Sequence, residues 1–410
     1  MVLFDLLRRL SGPLDFRLAC VHVNHGISPN ARRWAEFCAR LCKRHGVGLT
    51  LDEVDIRPYR AAGVEAAARR ARYEVYARQN ADCIVLAQHQ DDQAETLLLQ
   101  LLRGAGVKGG AAMPLVRRQV AGCASILRPL LGVPRGEIEN YARARKLKWV
   151  EDESNADMGY DRNFLRLKVM PVIERAFPAY RSTLARSAGH LAEADAILDE
   201  LAQADALRAA RDGKLSVDAM KRLGAARSRN LLRGLLWQRG GALPEADRLE
   251  EALRQLFEAR RDSAVCVALG DHELRRHDGS AYLLPRLPEP PANLRRKWDG
   301  KRIWRLPELR GALCFGRSTG AGLSAASIKQ AGLSLRLRRG GEKLRIDAKR
   351  PTRSLKNLLQ ESRMPPWQRD RLPLLYCGAE LACVPGVGIA SKFQTRPGES
   401  GWFVTWDELT

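Results

Sequence analysis

The sequence predicts an α/β protein: a doubly wound parallel-sheet nucleotide-binding domain, then a helical middle domain, then a small α+β C-terminal domain. Three observations carry this prediction. Strand-like and helix-like segments alternate three times near the N-terminus. Between residues 180 and 260 the pattern changes to Ala-, Leu- and Arg-rich helical periodicity. From Ala331 to Arg371, 12 Lys or Arg stand against 4 Asp or Glu, a local net charge of +8. The expected divisions are a catalytic domain over 1–178, a helical domain over 179–290, a linker over 291–332 and a basic domain over 333–410.

The N-terminal elements come first. "MVLFDLLRRL" places Leu3, Leu6, Leu7 and Leu10 at helical spacing from the first residue. "FRLACVHVNHG" (16–26) reads as a strand ending at His25 and Gly26, after which Ser28 as N-cap and Pro29 open a helix that stops at Gly46. "VGLTLDEVDI" is the next strand and "GVEAAARRARYEVYARQN" the next helix. Cys83 to Ala87 is apolar without polar alternation, as in a strand buried on both faces of a parallel sheet. A helix comes after it, with Asp91 and Asp92 at its N-terminus and Gly104 as its stop. "LKWV" (147–150) reads as strand-like, and "LLPRLPEPPANLRRKW" (283–298) as a proline-rich linker. The C-terminal "RSLKNLLQESRMPPWQRDRLPLLY" reads as a short helix, a Pro-Pro break and a strand. Trp367 beside that break is either a base-stacking ring or a packing anchor.

Composition narrows the function. The 410 residues carry a formal charge of +22, which favours a polyanionic partner. No run approaches the ~18 apolar residues of a membrane span, and no secretory signal opens the chain, so the expected location is cytoplasmic and no membrane partner is expected. Nine cysteines include no C-x-x-C pair, which argues against zinc, iron–sulfur and disulfide frameworks.

The chemistry concentrates in "LAQHQDDQAETLLLQLLRG" (86–104). Asp91, Asp92 and Glu95 share one helical face just after a buried strand. Ligands of open α/β sheets bind at that edge, so the cluster could hold Mg²⁺ against a polyphosphate. A helix cap with solvated neighbours explains the same residues equally well on their own.

The wider chain settles which. "VHVNHGISPNA", "AQHQDDQAETLLLQLLRGAGVKGGAAMP", "WVEDESNADMGYDRNFLRLKVMP" and "LRLRRGGEKLR" with "RSLKNLLQESRMPPWQRDRLPLLY" resemble the tRNA(Ile)-lysidine synthetases, in family order and over nearly the whole chain. The resemblance implies an enzyme that uses ATP, Mg²⁺ and L-lysine to convert the wobble cytidine of a CAU-anticodon tRNA(Ile) to lysidine, releasing AMP and pyrophosphate. It implies catalytic roles for Asp92, Glu95 and Asp91, with Asp91 and Asp92 as Mg²⁺ ligands. His25, Gly26, His89 and Arg103 become ATP-binding candidates. Arg162, Asn163, Arg166, Arg336, Arg338 and Arg339 become phosphate or tRNA contacts, and Asp152 and Asn155 pocket residues, although "EDESN" reads equally well as an Asx-type turn. The resemblance also leaves room for a homodimer.

One departure stands out. The family's "SGGxDS"-type phosphate loop, a nest of N–H groups between the first strand and first helix, has no counterpart, and "RRLSGPLD" ends a helix instead of opening one. The expectation is that Met1 is an internal methionine with the strand and loop preceding it. A chain truly beginning there would at most bind tRNA.

Overall fold

The computed structural model describes residues 1–117, 124–211, 213–241, 244–260, 263, 265–286, 288–291 and 293–408. They form two units, Met1–Leu201 and Ala202–Thr410.

In the first unit, strands Ala19–Asn24 and Gly48–Glu53 pair in parallel, and Cys83–Val85 pairs in parallel with Ser125–Leu127. Val116–Arg117 adds an antiparallel edge to the second pair. The two sheets share one hydrophobic cluster, in which Val21 and Val23 of the first pack against Ile84, Ile126 and Tyr76. Helices Val2–Leu10, Ala31–Arg44, Val64–Ala77 and Gln90–Leu102 alternate with the strands, giving the expected α/β order. Cys83 is nevertheless exposed while Ile84 is buried, so this strand is covered less completely than its apolar run suggests.

Local details depart from the sequence reading. Helix Ala31–Arg44 begins after Asn30, and Ser28 instead accepts the Asn30 N–H at 3.0 Å, a side-chain turn that competes with capping. Residues 147–150 form no strand, because no neighbouring strand pairs with them among the described residues. Helix Tyr180–Ala209 begins just after the boundary read at 178, and its Asp195 and Asp199 lie 3.0 and 3.3 Å from Lys108.

The second unit has two cores. Helices Val217–Gln238 and Ala246–Glu258 pack Met220, Leu231, Leu236, Leu249 and Leu256 onto a five-stranded antiparallel sheet. This middle region is helical, as expected, but the sheet was not foreseen. Its strand His272–His277 alternates buried and half-buried residues, the pattern of a sheet covered on one face.

The second core corrects the linker assigned to 291–332. Arg295–Lys297 pairs with Leu333–Arg336, and Gly311–Thr319 pairs with both Ile303–Leu306 and Ser400–Glu408. Trp304, Leu313 and Phe315 are buried in this core with Leu335 and Leu375. The prolines break only the segment before it, and the chain beyond them returns to strand, closed by Ser400–Glu408. Among the described residues no helix is long and apolar enough to cross a membrane.

If 303–319 is core and not tether, Trp304→Ala lowers unfolding stability by about 3–5 kcal/mol in urea titrations. An unchanged midpoint would restore the linker.

Candidate active site

The acidic helix begins at His89, an extended residue whose N–H donates to Asp92 Oδ2 at 3.0 Å. Asp91 Oδ2 accepts the N–H of Arg135, first residue of helix Arg135–Ala144, at 3.0 Å, and Asp91 Oδ1 lies 2.7 Å from Arg181 Nε. Asp92 Oδ1 faces Arg162 at 3.0 Å and Arg166 at 3.5 Å. One turn on, Glu95 is 2% exposed and receives Arg162 Nε at 2.8 Å and Arg166 Nε at 2.6 Å. Arg166 also donates to Glu95 through Nη2 at 2.8 Å.

This geometry changes the expected roles. Every oxygen of Asp91 and Asp92 already meets a guanidinium or a backbone N–H, leaving no site shaped for a resident cation. No cluster of three acidic, His or Cys side chains among the described residues could hold one. The residues therefore do not fit the Mg²⁺ site assigned to Asp91 and Asp92. Arg162 and Arg166 serve first as partners of Asp92 and Glu95. A guanidinium fork suits that task, since its fixed donors match a carboxylate edge. The Glu95 hydrogen bond raises the pKa of Arg166 against the opposing effect of desolvation. Glu174 likewise raises that of Arg181, with Asp91 adding to it.

The two arginines sit on an unusual backbone, Arg162 just before a π-helical turn and Arg166 within it. Helix Asp161–Phe164 runs into a π-helical turn, Leu165–Val169, and then into helix Met170–Ala176. Such wide turns recur at functional sites because they re-aim side chains. Asn163, expected to touch tRNA, is buried and donates to the carbonyls of Ser154 and Asp157 at 2.7 and 2.8 Å. It pins the turn Glu153–Ala156. Asp152 caps that turn by accepting the Ser154 N–H at 2.9 Å, so the Asx-turn reading holds for it, and Asn155 is exposed.

A cavity of about 740 Å³ opens at the carboxyl ends of the first parallel pair. His25 and Gly26 line it, with Asn24, Glu53, Ile56 and Tyr160. Gly26 adopts φ +63°, in the region where glycine costs least. His25 lies 3.3 Å from Arg72. Burial first, then Arg72 and His22, push its pKa down to about 4. Of the other ATP candidates, His89 stands 3.4 Å from Asp92 at the helix start. Arg103 pairs with Asp161 at 2.7 Å. Neither lines the cavity.

Sequence reasoning missed Arg181, whose position 90 residues beyond Asp91 leaves no local signal. It also missed the wall Glu53–Arg57, which the rule for strand carboxyl ends could have supplied.

In the second unit, Arg338 and Arg339 line a groove of about 390 Å³ with Pro290, Pro291 and Asp370. Arg336 lies apart from that lining, over the ring of Tyr376 at 4.4 Å.

Parallel strands with a cavity at their carboxyl ends define a nucleotide-binding α/β domain, and residues 1–173 match the PP-loop domain family, which uses ATP. Residues 215–282 match the TilS substrate binding domain and 333–406 the TilS substrate C-terminal domain. The tRNA(Ile)-lysidine synthase of Nitrosomonas europaea is 45% identical over 99% of this chain and 89% of its own length. That of Azoarcus sp. is 41% identical over 99% and 89%, and that of Coxiella burnetii 35% over 98% and 90%. The chain belongs to the tRNA(Ile)-lysidine synthase family, a family of ATP-dependent ligases.

Two outcomes are expected. Glu95→Ala leaves two guanidinia without their buried partner and lowers unfolding stability by about 3–5 kcal/mol; a neutral result would make the cluster superficial. His25 binds its proton only near pH 4 when folded but near 6.5 when unfolded. Stability therefore falls as pH drops from about 6.5 to 4. His25→Gln reduces that slope, leaving the part due to His22, whose pKa burial also lowers. An unaltered slope contradicts the assignment.

Proposed function

We propose that the chain joins L-lysine to C2 of the wobble cytidine in tRNA(Ile) bearing a CAU anticodon. Near-full-length relatedness to the synthases supports this reading over a tRNA binder without ATP chemistry. The observation that carries the site assignment is the double clamp of Glu95 and Asp92 on Arg162 and Arg166. Tyr160, in the cavity wall, lies two residues before Arg162.

The chemistry sets two demands. The cytidine C2 oxygen is a poor leaving group, so it first bonds to the α-phosphorus of ATP as the bond to pyrophosphate breaks. The neutral ε-amine of lysine then bonds to C2, the C2–O bond breaks with its electron pair going to AMP, and the amine gives up its proton. Negative charge is carried on the α-phosphoryl oxygens and on the departing pyrophosphate in the first step. Preorganised guanidinia stabilise such charge because they need no reorientation when it appears. Asp92 and Glu95 are the positioning groups that hold them. Glu95, with both oxygens accepting from arginine, serves the arginines and not the amine.

The cavity at His25 and Gly26 has the volume for a nucleoside, and a neutral His25 accepts or donates there without adding charge. Mg²⁺ belongs to this reading as the counter-ion of the triphosphate, with no protein ligand assigned. Arg338 and Arg339 supply phosphate contacts for tRNA, and Arg336 ends the strand that leads into them. A tRNA substrate places the reaction in the cytoplasm.

Depleting the protein from its host removes lysidine from tRNA(Ile) nucleoside digests; an undiminished level would overturn the function. Asp92→Asn abolishes AMP transfer to tRNA while tRNA affinity stays within a few-fold, and unimpaired transfer would remove Asp92 from the mechanism. Reversing charge at Arg338 and Arg339 weakens tRNA binding and reduces its salt slope by about one per lost phosphate contact. An unaltered slope means a merely solvated face.

A further inference from the structure

The contacts of Trp367 are those of the packing anchor its sequence context suggests, and they cross between two elements. Trp367 sits on the one-turn helix Pro366–Arg369, opened by Pro366 and held by an Arg369 hydrogen bond to the Met364 carbonyl at 2.6 Å. Its ring reaches across to the hairpin of the middle region. The Tyr282 ring meets it edge-on at 5.1 Å, the His277 ring edge-on at 6.1 Å, and the Arg275 guanidinium at 5.3 Å from the ring centroid. These three partners share one face of the hairpin, since Tyr282 pairs with Arg275, and His277 lies two residues further along the strand. Arg275 is itself held by Glu273 at 2.7 Å.

Polar contacts flank the ring. His277 Nε2 lies 3.2 Å from the Arg363 carbonyl oxygen, Arg363 lies 3.6 Å from Asp278, and Arg371 donates to the Pro288 carbonyl. The two hydrophobic cores of this unit share no residue among those described. The aromatic contact therefore joins two separately packed halves that a proline-rich segment would otherwise connect loosely.

We propose that Trp367, with Arg275, His277 and Tyr282, forms a clasp that fixes the angle between the middle and C-terminal halves, so that one tRNA engages both. Trp367 is then a positioning residue for tRNA. The proposal rests on the reading that both halves hold tRNA. Two sites at a fixed angle present the second at high effective concentration; two sites on a slack tether do not. The clasp acts before chemistry, so its loss appears in the tRNA requirement and not in turnover.

The test compares Trp367→Ala, Tyr282→Ala and the double variant for tRNA(Ile) affinity, KM for tRNA and kcat at saturating tRNA. Each single change is expected to raise Kd and KM roughly tenfold with kcat unchanged. The double variant is expected to be no worse than either single one, because both cut the same contact. Trp367→Phe restores most of the affinity. His277→Ala, which touches neither core, gives a smaller shift in the same direction and serves if the larger truncations fail to fold. A loss with Trp367→Ala alone, Tyr282→Ala being silent, would make the ring a direct nucleic-acid contact and overturn the clasp. Additive losses, or no change in KM, would overturn it as well. Failure of the underlying reading is distinct: charge reversal at Arg338 and Arg339 would then leave tRNA affinity untouched.

Discussion

Two guanidinium groups meeting one buried carboxylate hold the catalytic unit together. Glu95 is almost fully buried, and a carboxylate so placed is tolerated only when its charge is matched and its lone pairs are filled. Arg162 and Arg166 meet both conditions. Their attachment fixes the segment carrying the π-helical turn, in which Arg166 lies, and Asn163 on the same segment pins the turn Glu153–Ala156 through two carbonyls. Glu153 in turn accepts from Ser28, in the loop after the first strand, at 2.5 Å. That loop and Tyr160 border the cavity. One ion-pair cluster thus reaches the cavity through hydrogen bonds joined by short stretches of backbone.

The same constraint explains why a helix start rich in acids does not act as a metal cage. Asp91 is spent on Arg181 and on the first N–H of a neighbouring helix, and Asp92 on its own cap and on two arginines. In a chain of charge +22 such acids serve to organise arginines. The C-terminal unit uses arginine in the same way. Arg336 lies over Tyr376, and Arg353 pairs with Glu361, so part of the local charge is architecture. The groove at Arg338 and Arg339 combines that charge with an open surface.

Much of this was legible in the sequence, for physical reasons that differ by region. The N-terminal strands and helices were readable because apolar runs and 3.6-residue periodicity are local signals, and the cluster at Asp91, Asp92 and Glu95 was visible as a face of one helix. What the face meets was not, because Arg162, Arg166 and Arg181 arrive from 67 to 90 residues away. The middle sheet escaped because strands such as "HELRRH" are short and charged on their open face. Asp278 and Gly279, with φ of 44° and 72°, are nevertheless the Asp-Gly turn of a tight hairpin, a signal available in the sequence. The supposed linker failed because prolines mark where a strand cannot run and say nothing about the strands beyond them.

The central claim is that the carboxylates exist to aim the arginines at phosphate. The most direct measurement is single-turnover transfer of AMP from α-labelled ATP to tRNA(Ile), lysine withheld, comparing the natural chain with Arg162→Lys and Arg166→Lys. An ammonium carries the same charge but cannot span a carboxylate and a phosphate as a guanidinium fork does. The account predicts labelled tRNA for the natural chain and transfer slowed by about a hundredfold in each variant, with tRNA affinity retained. Transfer at full rate in both lysine variants would show that charge alone suffices, and would contradict the account.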